Sequence, residues 1–190
     1  MMFCLMFTGP QWVFGCQCCQ IALWTWAGMA KVGPWFPYVT AQMTPNCFLL
    51  RPLPSWVLKL LSKDHPRDLN PSRLCAVLAY SGVLLEITCG SMCAYGPTRM
   101  VGVAMALTLH LYITSMLPFA SVMEWNVYCM WSIKTFFYDP ESAMSVPADL
   151  HPALAAFLVV ALVLVPAVGQ LYPKMVPFLF AFRPVTPILL

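Results

Sequence analysis

The chain has 190 residues, of which 61% are hydrophobic, 14% aromatic and only 9% charged, against roughly 25% charged residues in soluble domains, too few to cover a water-soluble fold of this size. The formal net charge of +3 is small, and the basic residues gather in one loop, a distribution that excludes a nucleic-acid patch. Hydrocarbon as solvent admits only helices or closed barrels, because every backbone N–H and C=O must find a partner inside the protein, and the long continuous apolar runs lack the alternation of barrel strands.

The expected fold is therefore all-α: a polytopic helical membrane bundle forming a single domain over residues 1–190, with about five transmembrane helices plus a short interfacial amphipathic helix. A multi-pass location in the plasma membrane follows, with membrane lipids as the surroundings. The apolar start, Met1 to Phe7, has no basic n-region and no small-residue cleavage site, so it reads as a helix end or the start of a truncated chain, not a cleaved signal. The first span is expected over 11–30, closing at Lys31. The segment 55–63 that follows places Trp56, Val57, Leu60 and Leu61 on one helical face and Lys59 and Lys63 on another, the pattern of a helix lying at headgroup depth or packed on the bundle.

The second span is expected over 73–95, opened by an Asn70-Pro71-Ser72 cap and closed by Gly96-Pro97. The third covers 100–117, ending at Pro118. A shorter segment, 124–138, contains Lys134 and reads as a tilted span, a re-entrant piece or an interfacial helix. The last span covers 153–171, with a kink expected at Pro166. The loop after the first span carries Lys31, Arg51, Lys59, Lys63, Arg67 and Arg73 and is assigned to the cytoplasm. Five crossings then put Asp139, Glu141 and Asp149 outside and Lys174 and Arg183 inside, with Arg99 on the outer side against the rule.

Among nine cysteines, Cys75, Cys89, Cys93 and Cys129 fall in apolar segments, where a reduced thiol packs as a small hydrophobe. Cys16, Cys18 and Cys19 lack a second Cys or His pair at zinc spacing, so no metal site is assigned. No cofactor is implied either, since nucleotide loops, zinc signatures and serine-nucleophile motifs are missing from the sequence.

Ionisable groups at membrane depth are costly and usually face the bundle interior. Glu86 and His110 sit mid-way along the second and third spans, which a short turn joins, so they fall at similar depth. Paired, they would either exchange a proton near neutral pH or only fix helix packing. Glu124 and Asn126 open the fourth segment, as local caps or as the lining of an opening at the membrane surface. Lys31, Trp35, Phe36 and Tyr38 form a rigid aromatic motif suited to headgroup depth, as an anchor or as a grip on an amphiphile.

Read together, Lys31-Val-Gly-Pro-Trp-Phe-Pro-Tyr38 with Met43 and Asn46, Asp64-His-Pro-Arg-Asp-Leu-Asn-Pro-Ser-Arg73, Glu86, His110-Leu-Tyr-Ile-Thr-Ser115 and Glu124-Trp-Asn126 resemble a family of polytopic transmembrane proteins, common in actinobacteria, described only as a domain of unknown function. The resemblance covers about 28–174 and implies a helical membrane domain without an assigned activity. Three functions follow from the residues: binding or transport of a lipid or other amphiphile between the second and third spans, an intramembrane lipid-modifying enzyme using His110 with Glu86 or Glu124, or a structural subunit with a membrane protein partner.

Overall fold

The computed structural model describes residues 1–50, 52–116, 123–139 and 144–172, with the side chains of Met123 and Glu124 outside that description. Five longer helices dominate it. Helix α1 (Pro10–Met29) follows Gly9, whose φ of 62° suits glycine, and opens on a proline, whose fixed φ and missing N–H match a first helical turn. Two short helices come next, α2 (Phe36–Met43) and α3 (Ser55–Lys59). Helix α4 (Arg73–Ala94) begins at the expected cap, where Ser72 Oγ accepts from the Cys75 N–H at 3.1 Å. Helix α5 spans Arg99–Thr114, and α6 runs over Met123–Ile133 and continues into a π-helical turn, Lys134–Tyr138. Helix α7 (Pro152–Leu171) carries a second π-helical turn at Val160–Leu164, just before Pro166.

The long helices alternate in direction. Gly90 abuts Ile21 and Trp24, whereas Gly28 abuts Val83 and Ile87, so α1 and α4 run antiparallel. Helices α4 and α5 form a hairpin in backbone contact: a Cβ added at Gly102 would lie 2.5 Å from the Cys93 nitrogen. No lipid-sized gap separates them at that level. Helix α6 descends beside α1, Cys129 meeting Gln20 and Phe136 meeting Gln17, and α7 ascends beside it, from Leu154 at Gly15 to Leu162 at Trp26. One end of the bundle thus gathers residues 30–72 and the ends of α5 and α7, and the other gathers 95–98 and 144–151.

Two helices among the described residues, Arg73–Ala94 and Pro152–Leu171, are long and apolar enough to cross a membrane. Helix α1 has the length, but Gln11, Gln17 and Gln20 dilute its apolar character, and the latter two are buried inside. Leu74, Val77, Leu78 and Leu84 of α4, and Val159, Val160, Val163 and Leu164 of α7, face outward. Cys75, Cys89, Cys93 and Cys129 are buried free thiols, as expected of small packing residues.

The loop after α1 corrects the all-α expectation. The amphipathic helix stops at Lys59, and β1 (Ser62–Asp64) pairs antiparallel with β2 (Asp68–Pro71), Asp64 opposite Asp68. Pro66 has no N–H to continue a helix, and Ser72 takes the carbonyls at the end of α3 instead, its hydroxyl donating to Leu60 O at 2.6 Å and its N–H to Leu61 O at 2.8 Å. The expected apolar face is accordingly split: Leu61 is buried, whereas Trp56 and Leu60 are exposed. Arg51, Pro118, Glu141, Lys174 and Arg183 lie outside the described residues.

Candidate functional site

The polar groups of the interior are arranged along one side of α1. At the end shared with α4, Lys31 Nζ donates to both oxygens of Glu86, with Oε1 at 2.6 Å. The lysine side chain is 27% exposed and the carboxylate 8%, so the ammonium keeps partial contact with the outside while the acid does not. Two features favour this pairing: Lys31 sits at the C-terminal end of α1, where the helix dipole attracts a cation, and Gly28 lets α4 approach closely, since a Cβ there would be 2.5 Å from Ile87 Cγ1. Among the described residues this is the one ion pair.

Deeper in the bundle, the Trp24 indole N–H donates to His110 Nε2 at 2.8 Å, and His110 Nδ1 lies 2.7 Å from Asn126 Oδ1. Indole is a donor only, so Nε2 must offer its lone pair and the ring proton must sit on Nδ1, donating to the amide oxygen. Three helices, α1, α5 and α6, thereby meet at one imidazole in a single tautomer. The Trp24 ring also packs 5.8 Å from Phe137. Further along, Ser132 Oγ lies 3.0 Å from Gln20 Oε1.

The expected Glu86–His110 hydrogen bond does not form. Each has partners from elsewhere. Adjacent helices do not fix which way their side chains turn, and α1 packs where it can supply Lys31 to one group and Trp24 to the other. Asn126 and His110 are brought together, whereas the Glu124 side chain lies outside the described residues. The 31–38 motif is docked on α4 through Tyr80 Oη–H to Gly33 O, 3.0 Å, and Cys75 Sγ to Pro37 O, 3.3 Å. Trp35 and Phe36 stack edge to face at 5.5 Å, and Tyr38 is exposed.

Four residues of α1 carry weight that hydropathy did not reveal: Gln17, Gln20, Trp24 and Trp26. One of them, Trp26, answers a signal that was present. A carbonyl four residues before a proline loses its helical donor. Leu162 precedes Pro166 in this way, and Trp26 Nε1 donates to Leu162 O at 2.8 Å; Phe136 lies in the last turn of α6, where carbonyls lack a helical donor, and Gln17 Nε2 donates to Phe136 O at 2.7 Å. The arrangement offers hydrogen bonding and charge neutralisation between helices, with its acid, base and amide groups engaged by one another.

Removing one member of a buried ion pair costs about 3 to 5 kcal/mol, whereas replacing both with apolar residues is often near neutral. Glu86→Leu and Lys31→Met should therefore each lower stability against unfolding in detergent micelles, and the double variant should recover most of the loss. Strictly additive losses would show that the two side chains do not depend on each other.

No curated protein and no solved structure matches the chain. A family model described as transmembrane protein of unknown function (DUF3556) matches residues 1–186, nearly the whole chain. With a bundle of apolar-faced helices held by internal polar pairs, the protein belongs to this family of transmembrane proteins.

Proposed function

We propose that the chain is a five-span structural subunit of the plasma membrane, whose interior polar groups fasten helix to helix and neither carry protons nor hold a ligand. The observation that carries this reading is the state of His110: both ring nitrogens are engaged, one by the Trp24 indole and one by Asn126. A proton carrier needs a nitrogen that can take up and release a proton toward a substrate. A group whose lone pair already accepts an indole N–H would have to break that bond first. The close approach of α4 and α5 at Gly102 likewise speaks against the amphiphile site between those spans.

Five crossings are supported by the alternating directions of α1, α4, α5, α6 and α7. Charge supports them as well: Lys31, Lys59, Lys63, Arg67 and Arg73 gather at one end and Asp139 and Asp149 at the other, so the positive-inside rule places the first end in the cytoplasm. Trp35, Phe36 and Tyr38 then sit at headgroup depth on that side as an anchor. The apolar outer faces of α4 and α7 contact lipid or the helices of a membrane protein partner.

Two measurements test the reading. With single cysteines placed at Lys63, Thr98 and Asp149, an impermeant maleimide should reach the latter two from one side of oriented vesicles and Lys63 from the other; labelling of Asp149→Cys together with Lys63→Cys would mean that α6 does not cross. In the folded protein, nitrogen NMR of labelled imidazole should show His110 with its proton on Nδ1 alone. Trp24→Phe, which leaves Nε2 buried and unpaired, should lower stability by about 1 to 3 kcal/mol. A proton on Nε2 in the unaltered protein would contradict the structural role.

A further inference from the structure

A second polar feature lies away from the interior, where the β-hairpin meets the start of α4. Lys59, Lys63, His65 and Arg73 border an open groove of about 450 Å³, with Leu60 and Leu74 forming its apolar wall and Asp64 its single acid. Lys59, Lys63 and Arg73 are exposed and, among the described residues, none forms an ion pair. Three cations against one carboxylate leave a surplus of positive charge among the described residues of the groove.

Position narrows what such a groove receives. It opens at the N-terminal end of α4, a helix long and apolar enough to span a bilayer; with α4 as a span, its floor would lie at the membrane surface. Trp56 on α3, Leu60 at its end, Leu69 on β2 and Leu74 at the start of α4 are all exposed. Such side chains are favourable when they dip into the headgroup region beside lysines, as in interfacial segments. The apolar set immersed there would bring the groove to the depth of lipid phosphates. A soluble anion would not need the apolar wall of Leu60 and Leu74.

We infer that the groove between the hairpin and the start of α4 is a binding site for the phosphate headgroup of an anionic phospholipid, held by Lys59, Lys63 and Arg73 with its upper acyl chain against Leu60 and Leu74. This rests on α4 as a span, and not on the structural role of the interior. Arg73 can meet a phosphate in fork geometry while the lysines act as point charges. His65 lies at the rim.

The test is native mass spectrometry of the whole chain in neutral detergent, counting lipids retained after addition of phosphatidylglycerol or phosphatidylcholine. The unaltered protein should retain phosphatidylglycerol in preference. Lys59→Gln, Lys63→Gln and Arg73→Gln combined should weaken that retention on the order of 100-fold, from roughly fivefold per cation near a membrane surface. Arg67→Gln removes an exposed hairpin charge outside the groove and should leave retention close to unchanged. Undiminished retention by the triple variant would overturn the site. An Arg67→Gln loss as large as that of each groove substitution would replace it by diffuse attraction. Displacement of the lipid by inorganic phosphate as readily as by a short-chain phosphatidylglycerol would overturn the lipid as the source of the phosphate. Equal retention of phosphatidylcholine by the unaltered protein would overturn the charge selectivity. Circular dichroism of the triple variant separates loss of the site from loss of the fold: a helical spectrum with lost retention supports the site, and full retention with an altered spectrum overturns it.

Discussion

A proline inside a membrane helix leaves a carbonyl without its N–H, and hydrocarbon has no water to supply another. This chain meets that constraint at Leu162, four residues before Pro166, where the missing donor comes from α1 as the Trp26 indole; at Phe136, in the last turn of α6, the helix end leaves the carbonyl open, and the Gln17 amide of α1 donates to it. Both carbonyls lie in π-helical turns, where the backbone ladder is already shifted by a residue. The same helix gives Trp24 to His110, Gln20 to Ser132 and, just past its end, Lys31 to Glu86. A helix of only moderate apolar character is thus the centre of the bundle, because its polar side chains satisfy groups that its neighbours cannot satisfy alone.

Hydrophobic runs and stop signals located the helices well. Ser72 as a cap and Gly96-Pro97 as a stop bracket α4 to within a residue, and Pro166 marks the disturbed turn of α7. The hairpin at 62–71 was less legible, because the leucines and lysines before it fit a helical face and only Pro66 argued otherwise; the Ser72 contacts that end α3 are local but depend on a turn formed first. In the interior, burial was legible and partner choice was not. Glu86 and His110 are both buried, yet the neighbour that decides their partners is a helix some sixty residues earlier in the case of Glu86, and its placement is a matter of packing. Gly28, Gly90 and Gly102 permit that packing by letting backbones approach, a role that a glycine in sequence does not announce.

The division of labour that results is between a bundle interior closed on itself and a surface that is not. Inside, polar groups are shared between helices, as membrane interiors require when no solvent can complete them. At the basic end, Lys59, Lys63 and Arg73 form no ion pair among the described residues, and Leu60 and Leu74 beside them are exposed. Whatever this family contributes to its membrane is therefore sought at the surface and the outer helix faces, with the interior serving to hold those surfaces in register.

The dependence of the bundle on α1 is tested most directly by coupling Trp26 to Pro166. Replacing Pro166 by alanine restores an N–H four residues beyond Leu162, so the carbonyl no longer needs the indole. In the unaltered background Trp26→Phe should lower stability in detergent by about 1 to 3 kcal/mol, the scale of a buried group left unpaired; in the Pro166→Ala background that loss should largely vanish. An equal loss in both backgrounds would contradict the account, since the indole would then contribute packing alone.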